Sequence, residues 1–261
     1  MNGKAAIPPL RILLLGGTGD SRALADKLSE VEGVDVVTSL AGRTEQPASI
    51  PGTLRIGGFG GSAALAGYLK DQRIDLLVDA THPFAARISD NAEAACRLTG
   101  TPRLVLARPP WQPVAGDTWI HVGDAAAAAA ALPGLAKRVF ISVGRQELAA
   151  FADLKGIRFL VRVIDPPRNG LPLENYEVVL GRGPFDEAGE LALFRAHGIE
   201  ALVTKNSGGE ATYAKIAVAR QLGLPVVMID RPAGKAQETA GSVAEALASI
   251  TGRLQSRPPS H

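Results

Sequence analysis

The chain has 261 residues and a formal net charge of +2, and 46% of its residues are hydrophobic while 21% are charged. These values suit a globular protein with one large domain or two smaller ones, and they argue against a nucleic-acid partner bound through bulk charge. The single cysteine, Cys96, excludes an intrachain disulfide and a thiolate metal cluster, and no metal site is expected. No apolar run approaches the ~20 residues that cross a bilayer, and the N-terminal segment lacks the hydrophobic region of a signal peptide. A cytoplasmic protein without a membrane partner is therefore expected.

Apolar runs typical of buried strands alternate with amphipathic helical patterns along most of the chain. The first part of the chain contains the predicted strands RILLLG, DVVTSLAG, IDLLVDAT and PRLVLA and predicted helices near residues 21–28, 61–70 and 85–98. Uninterrupted apolar strands are typical of a parallel sheet that is covered on both faces. Their alternation with helices predicts right-handed crossovers and a doubly wound α/β fold.

A proline-rich segment, Arg108–Asp117, interrupts this alternation and predicts a crossing between two lobes. The second part contains the predicted strands WIHV, RVFISVG, RFLVRVI, EVVLGRG, IEALVTK and LPVVMI and predicted helices near residues 124–132, 186–197 and 211–222. The sequence therefore predicts an α/β protein with domains at residues 1–110 and 111–255, followed by a frayed tail at 256–261.

Ligands of open α/β sheets bind beyond the carboxyl ends of the strands. The first strand is followed by a glycine-rich turn, Gly16–Asp20, whose N–H groups and following helix N-terminus favour an anion. The dinucleotide fingerprint GxGxxG would place a third glycine at Arg22. The turn is therefore either a nucleotide site or a tight turn whose helix is capped by Asp20 or Ser21.

The second strand ends at Ser39, followed by Gly42, Arg43 and Thr44. An NAD-type site would carry an acidic residue roughly 20 positions after the glycine turn. A hydroxyl, a glycine and an arginine suit a 2′-phosphate instead and predict NADP(H), although Arg43 taken alone is also compatible with a solvated surface arginine. The next glycine run, RIGGFGG, indicates either close backbone approach to a ligand or a mobile loop.

The strand IDLLVDA is followed by Thr81, His82 and Pro83. His82 is a candidate acid, base or nicotinamide contact, or a hydrogen-bonded loop histidine. Asp79 lies at an apolar strand end, where burial would require a partner for its carboxylate. Pro83 suits the first turn of the helix that carries Arg87.

Strand ends in the second part place a cation beside glycine or serine at Arg145, Arg182 and Lys205. Three such turns predict a pocket for an anionic ligand with several carboxylates or phosphates. Tyr213, which follows the last of them, either stacks on a ligand ring or packs in the core.

Seven segments together resemble a known family: LLLGGTGDSRALA, SLAGRT, GGFGG, LVDATHPFA, SVGRQ, LVTKNSGG with the following TYAKIAVA, and LPVVMIDRP. In residue type, order and spacing, from about Arg11 to Pro232, they are similar to the precorrin-6A reductases of cobalamin biosynthesis. The resemblance implies two Rossmann-like lobes with mostly parallel sheets and an active site in the cleft between them. It also implies NADPH-dependent reduction of one carbon–carbon double bond of precorrin-6A to give precorrin-6B. One departure is Asp20-Ser21, where relatives often carry glutamate and then a small residue.

The resemblance also implies roles for individual residues. The predicted pyrophosphate contacts are Gly17, Thr18, Gly19 and Asp20. The predicted contacts of the adenosine 2′-phosphate are Ser39, Arg43 and Thr44, and Gly42 and Gly60 are further predicted cofactor contacts. The predicted nicotinamide contacts are Thr81, His82 and Pro83. The predicted substrate contacts are Arg145, Gln146, Arg182, Lys205, Asn206, Ser207, Gly208 and Tyr213. The candidate proton donors are His82 and Lys205, with solvent or a substrate carboxyl group as alternatives.

Other functions remain open at this stage. A cobalt-precorrin-6A reductase would share these motifs, because the metal would belong to the substrate. A protein that senses NADP(H) without catalysis would use the same turns. A transferase that uses S-adenosylmethionine would need an acidic residue at the second strand end, where Arg43 argues against it. No heptad repeat indicates an oligomer, and a monomer is expected.

Overall fold

The computed structural model describes residues 8–42, 50–232 and 238–256. It contains two six-stranded sheets, each in its own compact unit. The first unit comprises the chain up to Arg108 together with its C-terminal segment, and the second unit comprises Pro109–Pro232. The predicted α/β class is thereby confirmed.

The first sheet is entirely parallel. Its strands are β1 (Leu10–Leu15), β2 (Val34–Leu40), β3 (Thr53–Ile56), β4 (Leu76–Asp79), β5 (Arg103–Leu106) and β12 (Thr239–Ala240). They lie in the order β3-β2-β1-β4-β5-β12, which is the 3-2-1-4-5-6 order of the Rossmann fold, with its switch point between β1 and β4.

Helices cover both faces of this sheet: α1 (Gly19–Leu28), α2 (Ser62–Asp71), α3 (Ala86–Thr99) and α7 (Val243–Gln255). Side chains alternate along β1, so that Ile12 packs in the layer with α1 and α7 while Leu13 packs in the layer with α2 and α3. Both layers consist of buried apolar side chains, which explains why the sequence of the strand is a continuous apolar run. Cys96 lies in the second layer, and burial raises the pKa of its thiol to about 11.

The second sheet is also entirely parallel. Its strands are β6 (Thr118–Val122), β7 (Arg138–Ser142), β8 (Arg158–Val163), β9 (Tyr176–Leu180), β10 (Ala201–Lys205) and β11 (Pro225–Ile229). Its helices are α4 (Ala125–Ala130), α5 (Glu187–Ala196) and α6 (Ala214–Gln221), with 3-10 helices at Arg145–Phe151 and Glu210–Thr212. The strand order is β9-β8-β7-β10-β11-β6. With β7 counted first this is the same Rossmann order, and β6 takes the sixth place.

The sixth strand of each sheet therefore comes from an unexpected part of the chain. β6 precedes the other five strands of its sheet, and β12 follows the whole second unit before pairing with β5. The predicted first boundary at residue 110 lies close to the one observed, but the predicted second domain extended to residue 255. In the structure, β12 and α7 belong to the first unit instead, because Ala240, Ala246 and Ile250 complete its apolar core.

Some predicted positions lie outside the described residues, namely Arg43, Thr44 and residues 257–261. Within the described ranges, no helix combines the length and the apolarity that a membrane span requires. β3, β12 and α7 were not predicted from the sequence.

Candidate active site

The turn between β1 and α1 is built around Thr18 and Ser21. Thr18 is the N-cap of α1, and its hydroxyl oxygen accepts the N–H of Ser21 at 3.1 Å. The Ser21 hydroxyl accepts the N–H groups of Gly17 and Thr18, each at 3.1 Å. The prediction that Asp20 or Ser21 caps the helix was therefore wrong, because Thr18 already presents its oxygen to the first turn. The N–H groups of Gly19 and Asp20 remain at the helix N-terminus, where backbone donors have no intrahelical partner.

Two glycines make this turn possible without the third glycine of the fingerprint. Gly17 has a φ of 118°, which only glycine adopts readily. A Cβ at Gly16 would stand 3.1 Å from the Leu40 side chain and 3.2 Å from the Ser21 hydroxyl. Close packing is thus concentrated at Gly16, while Arg22 is exposed. The Asp20 carboxylate forms an ion pair with Arg108 at 2.9 Å, which offsets its charge near the helix N-terminus.

A cavity of about 590 Å³ opens at the carboxyl ends of β1 to β4. Its wall includes the predicted residues Ser39, Gly60 and Thr81. Gly57 and Gly61 also line it, each with a φ of 115° and with no heavy atom within 4 Å of the place a Cβ would take. The glycine run therefore forms a cavity wall that leaves space beside its backbone.

Arg55 organises this wall. It lies opposite Ser39 in the β2–β3 ladder. Its guanidinium donates to the carbonyls of Gly57 at 2.5 Å and Gly58 at 2.9 Å, and to the Ser39 hydroxyl at 3.3 Å. The guanidinium carbon lies 3.7 Å from the centre of the Phe59 ring, a cation–π contact. Within the described residues no carboxylate pairs with Arg55. Its guanidinium lies next to Ser39, which lines the cavity.

The end of β4 carries a buried carboxylate, that of Asp79. This residue is 2% exposed. One carboxylate oxygen accepts the Thr81 hydroxyl at 2.7 Å and the Thr81 N–H at 3.3 Å. The other lies 3.8 Å from an Arg103 guanidinium nitrogen. The expectation that Asp79 has partners is confirmed. Thr18 joins this strand end to the glycine turn, because its hydroxyl donates to the Ala80 carbonyl at 2.9 Å.

His82 and Pro83 lie in the turn that precedes α3. The Ala85 N–H bonds the His82 carbonyl at 2.7 Å, which closes this turn, and α3 begins at Ala86. The prediction that Pro83 occupies the first turn of the helix was therefore wrong. His82 is exposed, and its Nδ1 accepts the N–H of Phe84 at 3.3 Å. Arg87, on the first turn of α3, lines the cavity.

The predicted cations of the second unit lie at the carboxyl ends of its strands, and two of them are engaged. Lys205 forms an ion pair with Glu147 of the neighbouring 3-10 helix. The Arg145 guanidinium donates to the Asp165 carbonyl. Arg182 is exposed and, within the described residues, has no ion-pair partner. Gln146 is also exposed.

The segment after β10 is held against Trp111 by hydrogen bonds and ring packing. The Asn206 amide oxygen accepts the Trp111 N–H at 2.7 Å, and its amide nitrogen donates to the Trp111 carbonyl at 3.1 Å. Tyr213 packs against the same indole, with ring centres 5.8 Å apart. Gly208 has a φ of 66°, and a Cβ there would collide with the Pro109 carbonyl. The N–H of Ser207 bonds the Lys205 carbonyl at 2.8 Å.

Lys215 lies beneath this segment and is 4% exposed. Its ammonium donates to the Thr212 carbonyl at 2.8 Å and lies 5.2 Å from the centre of the Trp111 ring. Burial lowers the pKa of Lys215 to about 7, and the nearby Glu190 carboxylate opposes that shift. Glu190 accepts a hydrogen bond from Arg162 at 2.6 Å. This buried group of charges was not anticipated from the sequence.

Two parts of the site were missed by sequence reasoning. Arg55 begins the segment RIGGFGG, but the prediction for this segment rested on its glycines alone. Its meaning depends on its alignment with Ser39 in the neighbouring strand. Arg87 was noted only as part of a helix. For Arg55, the signal in the sequence was a cation two positions before a glycine run at a strand end.

Two parallel sheets in Rossmann order, with a glycine-lined cavity at the carboxyl ends of the first, define a two-unit α/β protein of the Rossmann class. The family model described as precorrin-6x reductase CbiJ/CobK matches residues 11–251. The chain belongs to this precorrin-6x reductase family.

Individual relatives agree with this membership. A precorrin-6A reductase from Rhodococcus erythropolis is 51% identical over 239 residues, which cover 91% of this chain and 96% of the relative. A cobalt-precorrin-6A reductase from Priestia megaterium is 31% identical over 240 residues, which cover 85% and 90%. A solved structure described as CobK precorrin-6A reductase is 43% identical, with a TM-score of 0.88, and the match covers 95% of this chain and 98% of that one.

Proposed function

We propose that this chain uses NADPH to reduce one carbon–carbon double bond of precorrin-6A, giving precorrin-6B. The observation that carries this proposal is the 51% identity to the Rhodococcus erythropolis precorrin-6A reductase over nearly the whole of both chains. The relative named for the cobalt-containing substrate is 31% identical, so the proposal takes the metal-free macrocycle as substrate. It takes a single chain in the cytoplasm as the active unit and needs neither nucleic acid nor a membrane.

The cavity of the first unit and the turn beside it have features that suit the pyrophosphate of a dinucleotide. The N–H groups of Gly19 and Asp20 lie in the first turn of α1 and suit the pyrophosphate, since helix N-termini favour anions. Open space beside Gly57 and Gly61 allows close approach to the backbone. These features support the pyrophosphate site predicted from the sequence, with Gly17 and Thr18 shaping the turn around it.

The corner next to Ser39 favours the phosphorylated cofactor. A site for NAD would place an acidic side chain at the end of β2 to bind the ribose hydroxyls. Ser39 stands there, and the Arg55 guanidinium lies 3.3 Å from its hydroxyl. Arginine suits a phosphate group because its planar donors match the phosphate oxygens. We therefore add Arg55 to Gly42, Arg43 and Thr44 as a contact of the adenosine 2′-phosphate.

The cations of the second unit are the proposed binding partners of the substrate carboxylates. Arg182 leads this group because it is exposed and lacks an ion-pair partner among the described residues. Arg145 and Lys205 follow, since each is already engaged by a neighbouring group. Gln146 and Ser207 remain proposed contacts, whereas Asn206, Gly208 and Tyr213 are proposed to hold the segment in place.

When bound, the nicotinamide supplies a hydride to one carbon of the double bond. The adjacent carbon then needs a proton, and His82 is the proposed donor. A protonated imidazole would give up one proton in this step and return to the neutral ring. Lys205 is the alternative donor. Holding both reactants in line is the main contribution of the protein to such a step.

The test is an anaerobic assay of the purified chain with metal-free precorrin-6A and with its cobalt-containing counterpart, each supplied with NADPH or NADH. Nicotinamide absorbance and the visible spectrum of the macrocycle are followed together. The proposal expects NADPH consumption with the metal-free substrate. Turnover with the cobalt form alone would move the activity to that substrate. Binding of NADPH without turnover of either macrocycle would favour a sensor of NADP(H).

A further inference from the structure

Among the described residues, the buried carboxylate of Asp79 at the end of β4 accepts hydrogen bonds from a single neighbour, Thr81. Asp79 is 2% exposed, and burial of a carboxylate is costly unless it is paired and hydrogen-bonded. Two hydrogen bonds to one of its oxygens come from Thr81, through the hydroxyl at 2.7 Å and the N–H at 3.3 Å. Arg103, 3.8 Å from the other oxygen, balances the charge. The arrangement fixes the position and rotation of the Thr81 side chain.

This arrangement also fixes the hydrogen-bonding polarity of Thr81. A hydroxyl has one hydrogen to donate and two lone pairs to accept with, whereas an ionised carboxylate only accepts. The Thr81 hydrogen therefore points to Asp79. Ser89 lies 3.5 Å from the Thr81 oxygen, a long contact in which Ser89 is then the donor. Thr81 lines the cavity, so it offers an incoming ligand an acceptor and no donor.

The place of Thr81 in the sheet indicates which part of a dinucleotide it would meet. β4 pairs with β1 at the switch point of the first sheet, across which the two mononucleotide halves of such a ligand bind. The adenosine half belongs to the side of β2 and β3, where Ser39 and Arg55 lie. Thr81 lies on the other side, with the nicotinamide half.

We propose that Thr81 accepts a hydrogen bond from the carboxamide N–H₂ of the nicotinamide, and that Asp79 is the positioning residue that keeps Thr81 an acceptor. This inference rests on the proposed use of NADPH. Thr81 then distinguishes the two ends of the carboxamide. It accepts a hydrogen bond from the N–H₂ group but has no hydrogen to donate to the carbonyl oxygen. The ring is thereby held in one rotation about its bond to the carboxamide.

The experiment compares NADP with its 3-acetylpyridine analogue, which keeps the carbonyl oxygen but has no N–H₂. Isothermal titration calorimetry of the full-length chain gives the Kd of each. One lost hydrogen bond predicts that wild type binds the analogue about tenfold more weakly. Thr81→Val should bind NADP about tenfold more weakly and the analogue unchanged, so that the ratio of the two Kd values approaches one. Thr81→Ser should restore the wild-type ratio.

Asp79→Leu tests the positioning role. Leucine has the branched shape of the aspartate side chain but accepts no hydrogen bond, so the Thr81 hydrogen is freed for the cavity. The ratio should then also approach one, while the analogue keeps its affinity. Thr38→Val is the matched control, because Thr38 is fully buried in β2 of the same sheet and does not line the cavity. It should leave both Kd values as in wild type.

The outcomes separate the two proposals. Binding of neither ligand to wild type would overturn the proposed function, and this inference with it. Binding of NADP with a ratio that Thr81→Val leaves unchanged would overturn the role of Thr81 and leave the proposed function standing. A ratio lost in Thr81→Val but kept in folded Asp79→Leu would overturn the role of Asp79.

Discussion

In the first unit the residues that follow β1 to β4 surround a cavity of about 590 Å³, whereas in the second unit the residues that follow β7, β8 and β10 bind one another. Glycines with positive φ lie at the first edge, together with Arg55, which has no carboxylate partner among the described residues. At the second edge, Lys205 pairs with Glu147, Arg145 bonds a carbonyl and Asn206 holds Trp111. The strand order is nevertheless the same in both sheets.

This contrast shows that topology determines where a site can form and the local residues determine whether it forms. Parallel strands deliver the first residues after them to one edge of the sheet. Glycines there leave space for a ligand, and bulky side chains with mutual hydrogen bonds close that space. The following predictions test each half of the contrast.

The largest effect is expected at Gly208, in the closed segment of the second unit. Gly208→Ala adds a Cβ that collides with the Pro109 carbonyl at a φ of 66°. Steric overlap and the left-handed backbone together should lower the free energy of unfolding by about 4 kcal/mol. Urea unfolding measures the loss. Gly223→Ala is the control, because Gly223 has the same φ of 66° with no heavy atom within 4 Å, and it should lose only the backbone share. Equal losses would mean that the segment is looser than described.

The second prediction concerns the buried charge of Lys215. Its pKa is about 7 in the folded state and 10.5 at the ordinary value, so between these values the unfolded chain binds one more proton than the folded chain. Stability therefore rises with pH across this window, by up to about 1.4 kcal/mol per pH unit from this group. Below about pH 7 the cost is at its full size.

Lys215→Met should remove this contribution, and over two pH units the difference from wild type should change by roughly 3 kcal/mol. Urea unfolding at pH 7 to 9 measures it. Lys155→Met, at an exposed lysine of the same unit, is the control and should leave the slope unchanged. A wild-type slope in Lys215→Met would show that this lysine keeps its ordinary pKa.

The third prediction sharpens the account of the open edge. Arg43→Ala should raise the Kd for NADPH about thirtyfold, which corresponds to ~2 kcal/mol for charge-assisted hydrogen bonds to the 2′-phosphate, and should barely change the Kd for NADH. Arg55→Met should act in the same direction. Arg22→Ala, at an exposed arginine of α1, should affect neither. Equal losses for both cofactors would remove Arg43 and Arg55 from the phosphate site.

The smallest effect concerns helix capping in both units. Thr18→Val removes the N-cap of α1 and the bond to the Ala80 carbonyl, and should cost about 1 kcal/mol of unfolding free energy. Asp124→Ala removes the N-cap of α4 at a similar cost. Only the first should also weaken NADPH binding, measured by calorimetry. Thr18→Ser should restore both quantities, and an equal weakening by Asp124→Ala would contradict the assignment of the site to the first unit.

Most of the fold could be predicted because long apolar strands and amphipathic helices carry a periodic signal. β3 was missed because its apolar side chains Leu54 and Ile56 are exposed, at 39% and 58%. β12 has only two residues and carries no periodic signal. α7 was not predicted either, and its place in the first unit depends on contacts that the sequence does not show, namely the pairing of β12 with β5 and the packing of Ala246 and Ile250 in the first core.

The sequence predicted which strand ends carry the candidate site residues, but it did not predict the contacts of those residues. The residue after each strand was accessible from the sequence, since a parallel sheet brings the strand ends together. The partners of those residues were not, because they lie far apart in the chain: Asn206 meets Trp111 across 95 positions, and Arg55 meets Ser39 across 16. The polarity of Thr81 likewise depends on a hydrogen-bond direction that residue types alone do not specify.

The return of β12 to the first sheet has a consequence for how the protein is made. Ala246 and Ile250 of α7 are buried in the first core, yet they are translated after the entire second unit. All six strands of the second sheet have been synthesised once Ile229 is in place, whereas the first sheet still lacks its edge strand and a covering helix. Domains usually complete folding in the order in which they leave the ribosome. In this chain the unit that begins first along the sequence can be completed only after the whole second unit has been translated.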